Sequence, residues 1–187
     1  VANAEQYNFI RIFEQDDVQK ESAAQGVHQI MDKARSKIDN SGLEPHSIIA
    51  FYDFPVTLIT FLLCQEYNLV GPSPSNGLKC EHKYWSRVEQ QNIIPEHIPG
   101  FQAVDSSDPP AYKNIRLERP FWIKPVKAFS GQLGFKIENA EDYEKNLQVI
   151  QNEIDKFAEP FNTLLQLIDI PEELEGIDGR HCIAEEI

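Results

Sequence analysis

Cysteine is scarce in this chain of 187 residues, which contains only Cys64, Cys80 and Cys182. The three lie far apart, form no Cys-x-x-Cys pair and have no histidines at the spacing of a zinc site. A disulfide scaffold and a zinc site are therefore both unsupported. Because thiols stay reduced in the cytoplasm, we expect cytoplasmic localisation.

Long apolar runs are also missing from the sequence. The most apolar stretch, residues 55–64, is about half the length of the roughly 18 to 20 residues that a membrane span needs. We therefore expect no membrane partner.

Basic side chains are few, with 17 Lys and Arg against 30 Asp and Glu, so the formal net charge is -13. This balance argues against broad, sequence-independent binding to nucleic acid phosphates. It does not exclude a nucleotide, because one small phosphate ligand needs only a few local donors and a cleft can be positive on an acidic protein.

The first 76 residues alternate between strand-like and helix-like patterns. Asp53 and Pro55 suit the first turn of a helix that runs to about Tyr67. Strands and helices that alternate in this way predict βαβ crossovers and a mostly parallel sheet. Strands are predicted at residues 7–13, 47–52 and 69–70. The first helix is predicted from an apolar stripe of Val18, Val27, Ile30, Met31, Ala34 and Ile38.

The sequence changes character from Gly77 onwards, where a helix over about residues 78–91 is followed by a loop rich in proline. Residues 130–134 are predicted to join two strands as a hairpin loop, and Asn139 is predicted to cap a long amphipathic helix that Pro160 ends or bends. We place a domain boundary near residue 76. Strands are predicted at residues 121–124, 134–137 and 181–187.

Three separated segments carry the residue types that a phosphate-binding site uses. The first is Leu69-Val70-Gly71-Pro72-Ser73, followed by His82-Lys83. The second is Ile123-Lys124-Pro125 with the stretch 130–134, and the third is Ile183-Ala184-Glu185-Glu186. In order and approximate spacing they resemble the ATP-grasp superfamily, especially its biotin carboxylase and carboxylate-amine ligase branches.

The resemblance implies an α/β fold class: a parallel-sheet pre-ATP-grasp domain over residues 1–76, then a linker helix and the first lobe of an ATP-grasp domain over residues 77–187. Lys83 and Lys124 match the first and second phosphate-binding lysines of the family, and Glu185 matches the start of its adenine-binding hinge. The nucleotide-binding residues that the resemblance implies are Lys83, Lys124, Ser130, Gly131, Gly134, Glu185, Glu186 and Ile187.

Elementary chemistry agrees with these roles. A triphosphate is a concentrated anion, so two ammonium groups brought together from a helix and a strand supply opposing charge at short range. A loop with Gly131 and Gly134 can bring its backbone amides close to phosphate oxygens, because glycine has no Cβ to obstruct the approach.

The resemblance implies an ATP-dependent ligase that activates a small carboxylate as an acyl phosphate for attack by an amine or a similar nucleophile. ATP and Mg²⁺ are the implied cofactors, and the magnesium ligands of the family lie downstream of the hinge, so no metal ligand is assigned in this segment. We expect the segment alone to be inactive, residues to be missing at both of its ends, and a homodimer to be the assembly to test.

A non-catalytic nucleotide-binding or scaffolding module is the alternative function. The loop at 130–134 is poorer in glycine than is usual in the family, and His82 stands where the family often has Asp. A plain Rossmann-like domain predicts a glycine-rich turn after the first strand, and residues 13–17 offer none.

Several candidate residues also have ordinary structural interpretations. Taken singly, Lys83 is a solvated surface lysine and Arg87, one helical turn later, an exposed arginine in a salt bridge, so Arg87 stays outside the predicted site. His82 is expected to be structural. Glu185 and Glu186 have a solvated strand edge as their ordinary interpretation.

Overall fold

The computed structural model of the chain describes residues 6–14 and 26–187. The chain divides into two units, Val1–Ser73 and Pro74–Ile187. Val18, part of the predicted first helix, lies outside the described residues.

In the described part of the first unit, two helices contact each other, α1 (Gly26–Asp39) and α2 (Val56–Glu66). They are also joined by polar contacts, because Arg35 Nε lies 2.9 Å from Glu66 Oε1. The predicted amphipathic face of α1 is confirmed by its buried residues Val27, Ile30, Met31, Ala34 and Ile38.

The predicted parallel sheet does not form in the described part of the first unit, where residues 7–13, 47–52 and 69–70 are in no strand. A parallel strand needs backbone partners at its edges and covered side chains on both faces. Instead, Ile49 and Phe51 are 79% and 87% exposed, and Val70 is almost fully exposed. The prediction of a buried strand at 47–52 was wrong because burial depends on neighbouring elements that a local apolar pattern does not reveal.

The second unit is built on a four-stranded antiparallel sheet, in which the strands lie side by side in the order 101–105, 181–186, 121–125 and 135–137. The predicted strands at 121–124, 134–137 and 181–187 are confirmed, with bounds shifted by a residue or two. The first strand was not predicted, because it lies within the proline-rich segment and pairs with residues about 80 positions later in the chain. The strands are β1 (Phe101–Asp105), β2 (Phe121–Pro125), β3 (Phe135–Ile137) and β4 (His181–Glu186).

Four helices accompany this sheet. They are α3 (Pro74–Glu81), α4 (Lys83–Ile93), α5 (Ala140–Glu153) and α6 (Asp155–Leu165). Short 3-10 turns lie at Pro95–His97, Tyr112–Asn114 and Glu172–Leu174. No helix within 6–14 and 26–187 is long and apolar enough to cross a bilayer.

The single helix predicted over residues 78–91 is in fact two helices, α3 and α4. His82 separates them because its backbone is extended, with φ -86° and ψ 100°, and its side chain caps α4. The long helix after Asn139 is also divided, since α5 ends at Glu153 and α6 begins at Asp155. Pro160 lies inside α6, which continues to Leu165, so the proline does not end the helix as predicted, and the interruption at Ile154 lies six residues before it.

The predicted cap of α5 is confirmed, because Asn139 Oδ1 accepts a hydrogen bond of 2.9 Å from the backbone of Asp142. The apolar face of α5 packs against one face of the sheet. The core formed there contains Val104, Ile115, Leu117, Phe121, Ile123, Ile137, Tyr143, Leu147, Ile150, Ile154, Ala158, Cys182 and Ala184.

The opposite face of the sheet carries the polar residues of interest. Side chains alternate along a strand, so Lys124 lies across β2 from Phe121 and Ile123, and Glu185 lies across β4 from Cys182. Helix α4 contacts both β1 and β4. Lys124 and Glu185 therefore face a helix that begins at Lys83.

Neighbouring residues on α5 provide a test of this arrangement. Ile150 is fully buried whereas Val149 is 39% exposed. We expect Ile150→Ala to lower the free energy of unfolding by about 2–5 kcal/mol and Val149→Ala to change it by about 0.5 kcal/mol or less. Tryptophan fluorescence during urea unfolding measures this, because both tryptophans, Trp85 and Trp122, belong to the second unit. Equal losses in the two variants would contradict the packing of α5.

Candidate functional site

Lys83 is fixed at the first turn of α4 by the chain that follows β2. Its backbone N–H donates to the carbonyl of Val126 at 2.9 Å, and its Nζ donates to the carbonyl of Ala128 at 2.7 Å. The ammonium group therefore lies beside the segment that leaves the strand carrying Lys124.

Glu185 joins three elements of the second unit. One carboxylate oxygen, Oε1, lies 2.5 Å from Lys124 Nζ, and the other, Oε2, accepts a hydrogen bond of 3.1 Å from Arg87 Nε. Glu185 is 8% exposed, and the side chains of Lys124 and Arg87 are each 28% exposed. The carboxylate thus bridges β2 and α4 from β4, and it is not the solvated strand edge of the ordinary interpretation.

These side chains line a small cavity of about 90 Å³. Three cationic groups and one carboxylate leave the lining with two net positive charges, on a chain whose formal charge is -13. The space accommodates a group about the size of a phosphate. Its lining residues are Cys80, Lys83, Ser86, Arg87, Lys124 and Glu185.

The loop at 130–134 adjoins this site without lining the cavity. Ser130, Gly131 and Leu133 have left-handed backbones, with φ values of 54°, 70° and 56°. A Cβ placed on Gly134 would stand 3.8 Å from the Cβ of Lys124, so the loop passes close to the stem of that lysine. Leu133 packs against the core and anchors the loop, while Ser130 and Gly131 are exposed.

Glu186 has a structural role on the other face of the sheet. Its two carboxylate oxygens accept hydrogen bonds from the backbones of Gly100 at 3.2 Å and Glu118 at 3.1 Å. The side chain therefore ties together the segments that precede β1 and β2. Ile187 follows the end of β4 and is exposed.

Comparisons with known proteins give a likeness to solved structures. No family model and no curated protein matches the chain. Among solved structures, the chain is similar to an L-amino acid ligase from Bacillus licheniformis, with a TM-score of 0.52 and 14% sequence identity. The chain therefore shares the fold of part of this ligase. The likeness covers 84% of this chain and 30% of the ligase chain, and at this identity it shows the fold alone.

Within the second unit, Lys83, Lys124 and Glu185 come together as neighbours around one cavity. Arg87 was predicted to lie outside the site, but its side chain is in the cavity lining. The signal in the sequence that could have placed Arg87 in the site was its position one helical turn after Lys83. Nothing local could show that Arg87 meets a carboxylate 98 positions away.

A metal site is not formed by the residues at 6–14 and 26–187, in which no group of three or more His, Cys, Asp or Glu side chains could hold an ion. The three cysteines are free thiols. Burial raises the pKa of Cys182 to about 12, so this thiol stays protonated.

His82 is built into the helix start as an uncharged ring. Its Nδ1 accepts a hydrogen bond of 3.2 Å from the backbone of Trp85, and its Nε2 lies 3.0 Å from the carbonyl of Ile177, which can only accept. This pair of contacts requires the neutral tautomer with the proton on Nε2. His82 therefore caps α4 and fixes the start of the helix that carries Lys83.

The pH dependence of stability tests the state of His82. Burial lowers the pKa of its folded-state ring below the ordinary 6.5, so on acidification the unfolded chain binds the proton first. The contribution of the neutral ring to the free energy of unfolding is complete above pH 6.5. It is lost as the pH falls through the lower pKa of the folded state. We expect His82→Asn, which keeps a capping oxygen, to flatten the decline of the urea midpoint as the pH falls below about 6.5.

His97→Asn is the matched control, because His97 is largely exposed and lies, like His82, in the second unit. It should leave the slope of the urea midpoint against pH unchanged. An unchanged slope in His82→Asn would show that the buried ring does not titrate as its surroundings require.

Proposed function

We propose that this chain supplies the ATP-binding part of an ATP-dependent ligase, which activates a small carboxylate as an acyl phosphate for attack by an amine or a similar nucleophile. The observation that carries the proposal is the cavity with excess positive charge, formed by Lys83, Lys124 and Arg87 around Glu185. It lies on the sheet face of the second unit, and the likeness of the chain's fold to part of an L-amino acid ligase supports the proposed ATP-grasp-like fold.

Lys83 and Lys124 are the proposed phosphate-binding side chains. Each ammonium group has three N–H donors, and the contacts of Lys83 with Ala128 and of Lys124 with Glu185 hold the groups at defined places. Ammonium groups fixed in this way can meet phosphate oxygens without first being ordered by the ligand.

The adenine-binding role of the hinge remains a proposal that rests on the position of β4. The strand ends at Glu186, and Ile187 follows it in an exposed position. The backbone of this segment can offer an amide and a carbonyl to the edge of a base. The side chain of Glu186 is engaged with Gly100 and Glu118, and its backbone N–H donates to the carbonyl of Gly100 at 2.9 Å, so the amide proposed to meet the base is that of Ile187.

Bound ATP would supply the phosphoryl group that the carboxylate oxygen accepts, with ADP as the leaving group and Mg²⁺ neutralising charge. The residues of this chain would bind and orient the phosphates and stabilise the charge that develops on them. The magnesium ligands are proposed to come from outside this segment. No side-chain nucleophile is needed.

The class of carboxylate is suggested by the structural neighbour. That protein is described as an L-amino acid ligase, and this chain spans about 30% of its length. We propose an amino acid or a similar small carboxylate as the first substrate to test, with the complete ligase activity belonging to a longer protein.

Removal of Lys124 tests the proposed phosphate site. We expect Lys124→Ala to weaken ATP binding by about tenfold to a hundredfold, because one charged contact to phosphate is worth about 1.5–3 kcal/mol. Lys83→Ala should act in the same direction. Isothermal titration calorimetry with ATP at low ionic strength measures both variants.

Lys156→Ala is the matched control, because Lys156 is an exposed lysine paired with Glu153 on another part of the same unit. It should bind ATP as the unaltered chain does. Unchanged ATP affinity in both Lys124→Ala and Lys83→Ala would remove the two lysines from the site and the proposal with them.

A further inference from the structure

The cavity contains a cation that the proposed function does not assign. Arg87 lies one helical turn after Lys83 on α4, and the two side chains line the same cavity with Lys124. We propose that Arg87 is a third anion-binding side chain of this cavity. The inference rests on the proposed function and identifies a further residue that would bind the polyphosphate.

Arg87 retains donors for a ligand after its contacts within the protein are made. A guanidinium group has five N–H donors. Nε donates to Glu185, and Nη1 donates to Gln90 at 2.7 Å. These two bonds leave three N–H groups, on a side chain that is 28% exposed and borders the cavity.

The charge balance separates Arg87 from an ordinary surface ion pair. Arg180 and Asp155 form a simple pair of one cation and one anion at 2.9 Å. Glu185 instead serves Lys124 and Arg87 at once, so one negative charge is divided between two cations. With Lys83 beside them, the cavity keeps an excess of positive charge that an anion would neutralise.

The geometry of arginine adds a reason beyond charge. The planar guanidinium fork can present two parallel N–H donors to the oxygens of one phosphate, which an ammonium group cannot do. Nε and Nη1 are oriented by Glu185 and Gln90, so the plane of the group is fixed before a ligand arrives. An anion would therefore meet a donor array that is already ordered.

Inorganic pyrophosphate is the probe that tests this proposal, because it presents the phosphates without the base. We expect Arg87→Met to weaken pyrophosphate binding by about tenfold or more, and Arg87→Lys to weaken it less, since charge is kept and the fork is lost. Adenosine binding should be unchanged in both variants. Calorimetry at low ionic strength gives the affinities, with tryptophan fluorescence as the check on folding.

Arg180→Met is the control, because it removes an arginine from an ion pair at the other end of β4. It should leave pyrophosphate binding unchanged. Pyrophosphate affinity in Arg87→Met equal to that of the unaltered chain would overturn the inference, and should that variant not fold, equal affinity in Arg87→Lys would overturn it.

The two proposals fail in different ways. If Lys124→Ala weakens pyrophosphate binding and Arg87→Met does not, the inference about Arg87 falls and the proposed phosphate site stands. If the unaltered chain binds neither ATP nor pyrophosphate, the proposed function and the inference fall together.

Discussion

The contact on which the second unit depends is the carboxylate of Glu185 between Lys124 and Arg87. A carboxylate that is 8% exposed is costly to bury unless cations and hydrogen bonds surround it. Glu185 lies on the central strand β4, Lys124 on its neighbour β2 and Arg87 on the helix above them. The polar contact therefore requires the sheet order and the position of α4 at once, and it brings the cations of the cavity together.

Local charge, rather than net charge, governs this cavity. The chain is strongly acidic, yet the lining has more positive than negative groups. Charges separated by more than about 10 Å are largely screened at 0.1 M salt, so the distant acidic surface has little effect on an anion held between Lys83, Lys124 and Arg87. An acidic protein can therefore hold a phosphate without binding nucleic acid broadly.

Local rules predicted the second unit better than the first. The cap at Asn139 and the strands at 121–124 and 181–187 follow from short patterns that the structure confirms. The prediction of a parallel sheet was wrong because an apolar run such as 47–52 forms a strand only when a partner strand satisfies its backbone hydrogen bonds. The strand β1 was missed for the opposite reason, since its partner β4 comes about 80 residues later.

The sequence by itself determined the residue types and spacings that suggest phosphate chemistry, including Lys83 on a helix and Lys124 on a strand. Tertiary structure alone decided that the two consecutive glutamates have different roles. Neighbouring side chains on a strand point to opposite faces, so Glu185 meets two cations while Glu186 binds backbone amides on the other side. Tertiary structure also brought Arg87 into the cavity, because an ion pair forms between groups that folding makes neighbours, whatever their separation along the chain.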